Sequence, residues 1–517
     1  MNVAGAPSLW LDQLGASPRR PALQGELDAD VAIIGGGFTG LWTAYYLAQL
    51  DPTLQIVVLE RDYVGFGASG RNGGWAVGEL AAGVEKYAAR SSLDGALRLT
   101  REVFAAVDEI GRVVATEGID CGYAKGGNIR LARNRFQRDR QVEEVEHHLE
   151  LGFSDDDLRL LSVPEAEAMC GATAVHGGLF FAHCAAVDPA RLVAGLAAAC
   201  EAAGVAIMER SPIDRIEVGR AVGESGEVRA GMVVMATEGY TRDLAGRRRD
   251  LVPTYSRMLA TAPLTDHQWA EIGLDDRLTF SDDRYMVIYG QRTEDGRIAF
   301  GGRGVPYLFG SRIDPACEVR ADSHRLVHEA LVDLFPILAD VKITHRWGGV
   351  LGVPRDWTPF VHADLAAGFA AAGGYVGEGV AAANAAPEAA AIRAEAIAHA
   401  RAVIDLCRLA GQPQMAGRFL EEDAGLDAIR PQLLAAKAEA EPSISTPRGV
   451  RGRQQCNKTT TGSAPVLAEE LPAAVLAAQC ENGGRASTGG YYSIPSQGHG
   501  QDASAADSPA AAAAREY

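Results

Sequence analysis

Three glycines spaced Gly35-x-Gly37-x-x-Gly40 follow the apolar run Asp30-Val31-Ala32-Ile33-Ile34 and open the apolar-faced stretch Gly40–Leu50. Between a strand and a helix, each glycine has a mechanical task. Gly35 permits a tight turn, Gly37 lets backbone approach a pyrophosphate, and Gly40 lets helix and strand pack closely. The helix start, at Phe38 and Thr39, then turns N–H groups and its positive dipole end toward phosphate. Glu60, with Arg61 beside it, closes the next apolar run, Gln55–Leu59. An acid at that place reads ribose hydroxyls, and an acid rather than a base favours a free 2′-hydroxyl. The cofactor expected is therefore FAD or NAD, not NADP.

Three later segments decide between these two. Gly65-Phe66-Gly67-Ala68-Ser69-Gly70-Arg71-Asn72-Gly73-Gly74-Trp75 follows the acidic strand directly. Its glycines offer backbone N–H groups, and Ser69, Arg71 and Asn72 add hydroxyl, guanidinium and amide, which suits a long, mostly apolar cofactor. Val233-Val234-Met235-Ala236-Thr237-Glu238-Gly239-Tyr240 is an apolar strand closed by a turn of small residues at Ala236 and Thr237. Gly373-Gly374-Tyr375-Val376-Gly377-Glu378-Gly379-Val380 is a second glycine-rich turn entering a helix. A helix start there, directed at an electron-rich flavin oxygen, stabilises the negative charge of a reduced flavin.

In combination these motifs resemble the D-amino-acid oxidase-like FAD oxidoreductases, and within that group the branch containing gamma-glutamylputrescine oxidase. Supporting pieces are Phe300-Gly301-Gly302-Arg303-Gly304, His345-Arg346-Trp347-Gly348-Gly349 and Gly352-Val353-Pro354-Arg355-Asp356. The resemblance spans about Trp10 to Asn384. It implies a Rossmann-type FAD-binding domain assembled from separated segments, an antiparallel-sheet substrate domain, and two-electron oxidation of a C–N bond in a small amine or amino acid. The expected segments are an N-terminal arm at 1–27; a cofactor part from 28–90, 165–250 and 345–386; and a substrate part from 91–164 and 251–344. Some relatives carry a lysine near the flavin that promotes reaction with oxygen, and some hold the flavin through a cysteine. Neither feature has a matching motif here, so non-covalent FAD is expected, with oxygen or another acceptor taking the electrons.

Oxidation of this kind moves hydride from the carbon next to nitrogen to flavin N5, and the protein's share is orientation and tuning. The product imine then hydrolyses to an aldehyde or keto acid plus amine or ammonia. The site therefore needs a pocket over the ring and one or two polar anchors. Arg303, after the run Ile298–Phe300, is the candidate for a substrate carboxylate, which a guanidinium holds bidentately. Tyr285 and Tyr289 are four apart on an expected strand, hence on one face, where they wall the pocket. Trp347 is expected near the flavin, with His345 on the same strand face as a core histidine. Cys121 and Cys184 read as packing residues.

The elements that must position these groups alternate between strand-like and helix-like, which implies an α/β core with an antiparallel sheet in mid-chain. Val205–Met208 and Met232–Met235 read as strands, Ser91–Glu117 as an amphipathic helix or a pair, and Arg284–Tyr289 with Arg297–Phe300 as a hairpin. All six Trp precede residue 384, so the last quarter is poorly equipped to form a core. An Ala-rich helical appendage is expected at 387–440 and a disordered tail at 441–517. Pro387 breaks the helix that the family continues with a Leu-Ala-Gly-Arg-like segment, so this stretch reads as an appendage or an out-of-frame reading. If its helix matters, the chain becomes a flavin-binding protein without catalysis, the alternative to the enzyme.

A net charge of −18, from 49 Lys+Arg against 67 Asp+Glu, disfavours a nucleic-acid partner and favours a cationic or neutral small molecule. No run is apolar and long enough for a membrane span. The eight cysteines form no metal-ligand pattern, and free thiols with no visible secretory signal read as a cytoplasmic chain with no metal.

Overall fold

The computed structural model describes residues 8–15, 20–302, 308–385 and 432–433. All of these lie in the first of the two units into which the chain divides, Met1–Arg448. Arg303 and nearly all of the stretch expected as appendage and tail lie outside the described residues.

The alternation of apolar segments resolves into two large sheets. In the first, strands Phe369–Gly373, Gly226–Met235, Gly25–Ile34, Ile56–Leu59 and Ala206–Met208 run parallel in that spatial order. Phe360–Asp364 pairs antiparallel on the outer edge, and the short strands Arg215–Glu217 and Arg220–Gly223 fold back on Gly226–Met235. Side-chain alternation covers both faces. Val31 and Ile33 pack with helices Phe38–Leu50 and Pro189–Ala202, while Ala32 and Ile34 join Val57, Leu59 and Val233 on the other side. A parallel sheet so covered needs apolar residues throughout, which is why Ile56–Leu59 is buried at every position.

The second sheet orders strands Ile343–Val353, Val252–Thr261, Ile298–Gly302, Ile288–Arg292, Thr279–Asp282, Asn128–Leu131, Gly178–Phe181 and Leu158–Leu161. Its pairs are antiparallel apart from Thr279–Asp282 beside Asn128–Leu131. Leu259, Phe280, Ile288 and Phe300 pack beneath helix Ala321–Leu334. Met258, Ala260, Ala299 and Trp347 form a separate cluster with Leu9 and Trp10 of helix Leu9–Leu14.

Several local expectations shift. Ser91–Glu117 forms one continuous helix, Leu93–Thr116, capped by the Ser92 side chain. Strands Gly178–Phe181 and Ile343–Val353 lie in the second sheet, although the expected segments placed both in the cofactor part. Sheet membership depends on distant pairing partners, which a one-dimensional pattern does not carry. Tyr285 is not on the strand with Tyr289, which begins at Ile288. The preceding strand ends at Asp282, whose carboxylate takes the Arg284 guanidinium at 2.7–2.9 Å, and Tyr285 beyond it is fully exposed.

Candidate cofactor and substrate cleft

The first glycine turn lies where strand Gly25–Ile34 meets helix Phe38–Leu50. Gly35 has φ +113°, and a Cβ on it would stand 2.4 Å from the Ala236 carbonyl oxygen. A Cβ on Gly40 would lie 2.0 Å from the Gly35 carbonyl oxygen, so the helix can approach the strand only through glycine. At Gly37 the obstruction is the Ser69 hydroxyl at 2.8 Å, and the same hydroxyl accepts from the Phe38 N–H at 2.9 Å. Thr39 donates to the Tyr375 hydroxyl at 3.2 Å, which ties the helix start to the late glycine-rich turn.

Glu60 stands at the end of strand Ile56–Leu59. Its carboxylate accepts from the Gly36 N–H at 2.8 Å and the Asp62 N–H at 2.9 Å. Burial pushes the Glu60 carboxyl up from its ordinary range, and the two N–H groups pull against that. A carboxylate has roughly four acceptor positions, so capacity remains for hydroxyl groups. Arg61 pairs with Asp62 and Asp243 and lies over the Tyr240 ring, 4.5 Å from its centroid.

These groups line one cavity. Gly35, Gly37, Phe38, Thr39, Glu60, Arg61, Ala68, Ser69, Asn72, Ala236, Thr237, Tyr375, Gly377, Gly379 and Val380, all singled out in the sequence, contribute to its wall. Gly40 and Gly74 act behind the wall, by packing, and Gly374 donates its N–H at 2.7 Å to Glu238. Sequence reasoning missed Ser211, Ile213, Asp243, Leu244, Val350 and Leu351, which nothing in their local patterns marks, and gave no role to Glu238, although it stands in the turn beside Ala236 and Thr237.

A second cavity adjoins the first and shares Ala68, Asn72, Leu351, Gly377 and Val380 with it. Its remaining wall includes Arg71, Gly73, Trp75, Glu79, Arg130 and Tyr289, with Ser256 and Asp282–Arg284 from the second sheet. The Tyr289 hydroxyl hydrogen-bonds the Ser256 hydroxyl, and its ring meets Trp75 edge-on, 5.9 Å between centroids. Gly73 must lack a side chain, because a Cβ there would stand 2.6 Å from the Tyr289 ring. Arg71 is buried in an ion pair with Glu318 at 2.6 Å. Arg130 pairs with Glu144 and with Asp283, and Arg284 with Asp282 and Asp333.

Trp347 and Tyr285 line neither cavity. Trp347 is wholly buried and donates its indole N–H to the Arg71 carbonyl at 2.8 Å. His345 is partly exposed and meets Asp12 at 3.2 Å instead of lying in a core. Lys86 bonds the Asp356 carbonyl and Lys125 pairs with Asp108, so neither reaches the cleft. Cys121, Cys170, Cys184, Cys200 and Cys317 are buried free thiols. Among the described residues no group of side chains suits a metal ion, and no helix is long and apolar enough to cross a membrane.

The donor set fits FAD. It comprises a cradle that a Cβ would fill, the start of a helix of 13 residues whose N-cap is glycine, an acid beside it, and a cleft that adjoins a second cavity over the antiparallel sheet.

Comparison with known proteins agrees with this. The profile of the DAO family, FAD dependent oxidoreductases, matches residues 30–392. The probable oxidoreductase OrdL of Haemophilus influenzae is 30% identical over 388 residues, covering 72% of this chain and 84% of that protein. The gamma-glutamylputrescine oxidoreductase of Escherichia coli is 30% identical over 339 residues, 63% of this chain and 74% of its own. In fold the chain is similar to glycine oxidase from Geobacillus kaustophilus, with a TM-score of 0.59 at 20% identity over 72% of this chain and 95% of that one.

Proposed function

The chain belongs to the DAO family of FAD-dependent oxidoreductases, and we propose that it oxidises the C–N bond of a small amine or amino acid in this cleft. The observation that carries the reading is that the two cavities adjoin and share the walls Ala68, Asn72, Leu351, Gly377 and Val380. A dinucleotide cradle thus stands wall to wall with a polar chamber over the antiparallel sheet.

In this reading Gly35, Gly37 and the Thr39 N–H at the helix start hold the pyrophosphate, and Glu60 accepts from ribose hydroxyls. Ala236, Thr237, Tyr375 and Gly377 wall the cofactor's length. When bound, FAD supplies the two-electron acceptor for hydride leaving the carbon next to nitrogen. The chain's own groups orient the substrate. Tyr289, held by Ser256, Trp75 and Gly73, presents a fixed hydroxyl and ring edge in the chamber, so a substrate amine meets a wall already in place. Arg303 keeps its proposed role as carboxylate anchor for an amino-acid substrate. The amine or amino-acid class is supported by the relatives' chemistry, including gamma-glutamylputrescine and glycine.

The test is anaerobic mixing of the purified flavoprotein with a panel of primary and secondary amines, gamma-glutamylputrescine and α-amino acids, following the visible band of oxidised flavin. Bleaching by one class assigns the substrate; readmitting oxygen, or adding an artificial dye, then shows which acceptor restores the band. A flavin reduced by dithionite but by no amine or amino acid overturns the reading and leaves a binding protein.

A further inference from the structure

The backbone from Gly70 to Gly74 has an unusual feature: four side chains, from the N-terminal helix and two strands, take its successive carbonyl oxygens. The Ser8 hydroxyl donates to the Gly70 carbonyl at 2.9 Å, and the Trp347 indole to that of Arg71 at 2.8 Å. The Trp10 indole donates to the Asn72 carbonyl at 3.0 Å. The Gln291 amide nitrogen reaches the carbonyls of Gly73 at 2.8 Å and Gly74 at 3.0 Å, together with Val187 at 3.1 Å. Gln291 is wholly buried, and its own oxygen accepts from the Arg277 guanidinium at 3.2 Å. Flipping that amide would set its oxygen against three carbonyls, so its orientation is determined.

In a planar trans peptide the N–H of one residue points opposite to the carbonyl of the residue before it. Pulling the Arg71 and Asn72 carbonyls into the protein therefore turns the Asn72 and Gly73 N–H groups the other way. Both residues line the second cavity. Among the described residues neither N–H meets a protein acceptor. The next N–H, of Gly74, is taken at 2.8 Å by the side-chain oxygen of Asn72, which also lines both cavities. Gly74, at φ +72°, must be glycine for the same reason, because a Cβ there would stand 2.0 Å from the Gln291 nitrogen.

We propose that Trp347 and Trp10 are positioning residues that fix the polarity of this backbone, with Gln291 anchoring the two peptides that follow, so that the carbonyls point away from the cleft and the Asn72 and Gly73 amides face the cofactor. Adjacent amides so directed place partial positive charge at the cleft wall, where it favours the more negative, reduced state of the ring. Trp10 and Trp347 meet edge-on with centroids 6.4 Å apart, so the N-terminal helix and strand Ile343–Val353 act as one clamp. The inference requires FAD in the cleft but no particular substrate, so a failed amine screen leaves it standing.

The experiment compares the flavoprotein with Trp10→Phe, which removes one N–H and keeps an aromatic ring, and with Gln291→Leu. Readouts are the two-electron potential by equilibration against redox dyes, the visible spectrum, the FAD dissociation constant from free-flavin fluorescence, and Tm. Expected is a shift of about tenfold toward oxidised flavin in Trp10→Phe, or about 30 mV lower, with a smaller shift in the same direction in Gln291→Leu. Weakened FAD binding by a folded variant supports the same conclusion. Folded variants that bind FAD with unchanged affinity, potential and spectrum overturn it, as does a fall in Tm with those three unchanged. Should Gln291→Leu fail to fold, Trp10→Phe decides.

Discussion

Glu238 combines three features seldom found together. Its backbone has φ +44°, a conformation that costs a non-glycine residue free energy of order 1 kcal/mol or more. Its carboxylate accepts from the Gly352 N–H at 3.1 Å and the Gly374 N–H at 2.7 Å, and no charged side chain contributes to its ionisation. Burial outweighs the backbone donors and pushes the carboxyl up to about 7. The folded protein therefore holds a proton here that the unfolded chain releases above its ordinary 4.5. The resulting stabilisation is complete below about 4.5 and is lost as pH rises through about 7. Tm of the apoprotein should accordingly fall across that window, by at most about 3 kcal/mol of stability. Glu238→Gln should remove that share of the slope, and an unchanged Tm–pH curve in the variant would show that Glu238 does not titrate there.

The connection between elements rests on the Arg71–Glu318 pair. It joins the glycine-rich segment after the first sheet to the short helix Pro315–Val319, which packs against strand Ile343–Val353 of the second. Both side chains are about 95% buried, so desolvation is large, and burial drives the Glu318 carboxyl up while Arg71 opposes it. Removing one partner strands the other charge, which costs about 3–5 kcal/mol, whereas replacing both with apolar groups of similar volume is often neutral. Glu318→Ala should therefore destabilise by that amount in urea denaturation, and Arg71→Met with Glu318→Leu should recover most of it. Equal losses in the single and double variants would mean that packing, not charge pairing, is what the two residues supply. His324 adds to the assembly by bonding the Glu318 carbonyl at 2.8 Å.

At the scale of the whole molecule, the cleft takes its walls from both sheets: Gly35, Glu60 and Ala236 from the first, Ser256, Tyr289 and Val350 from the second. A ligand filling it bridges the two layers. FAD at a hundred times its Kd should stabilise the fold by about 2.7 kcal/mol, seen as a rise in Tm of the deflavinated protein on adding FAD. AMP, which fills only the nucleotide end, should give a smaller rise. An equal response to both would indicate that the second cavity takes no part in holding the cofactor.

Much of the cofactor end was legible in one dimension because its determinants are local. The Gly35, Gly37 and Gly40 spacing, the strand before it and Glu60 after it all sit within one βαβ unit, where chain geometry dictates which backbone groups meet. The glycines at 73, 74, 374 and 377 were legible as glycines, but the reason for Gly73 and Gly74 was not. They are small because Tyr289 and Gln291, more than 200 positions away, occupy the space a Cβ would fill. The substrate chamber was least legible. Tyr285 and Tyr289 have strand spacing, yet the preceding strand ends at Asp282 and leaves the first outside the sheet, and Trp347 serves a carbonyl behind the wall instead of the cavity. Short-range periodicity thus sufficed for the cradle. The chamber, Glu238 and the carbonyl clamp arose only when strands distant in sequence paired, because a hydrogen bond between remote residues leaves no trace in the residues beside either one.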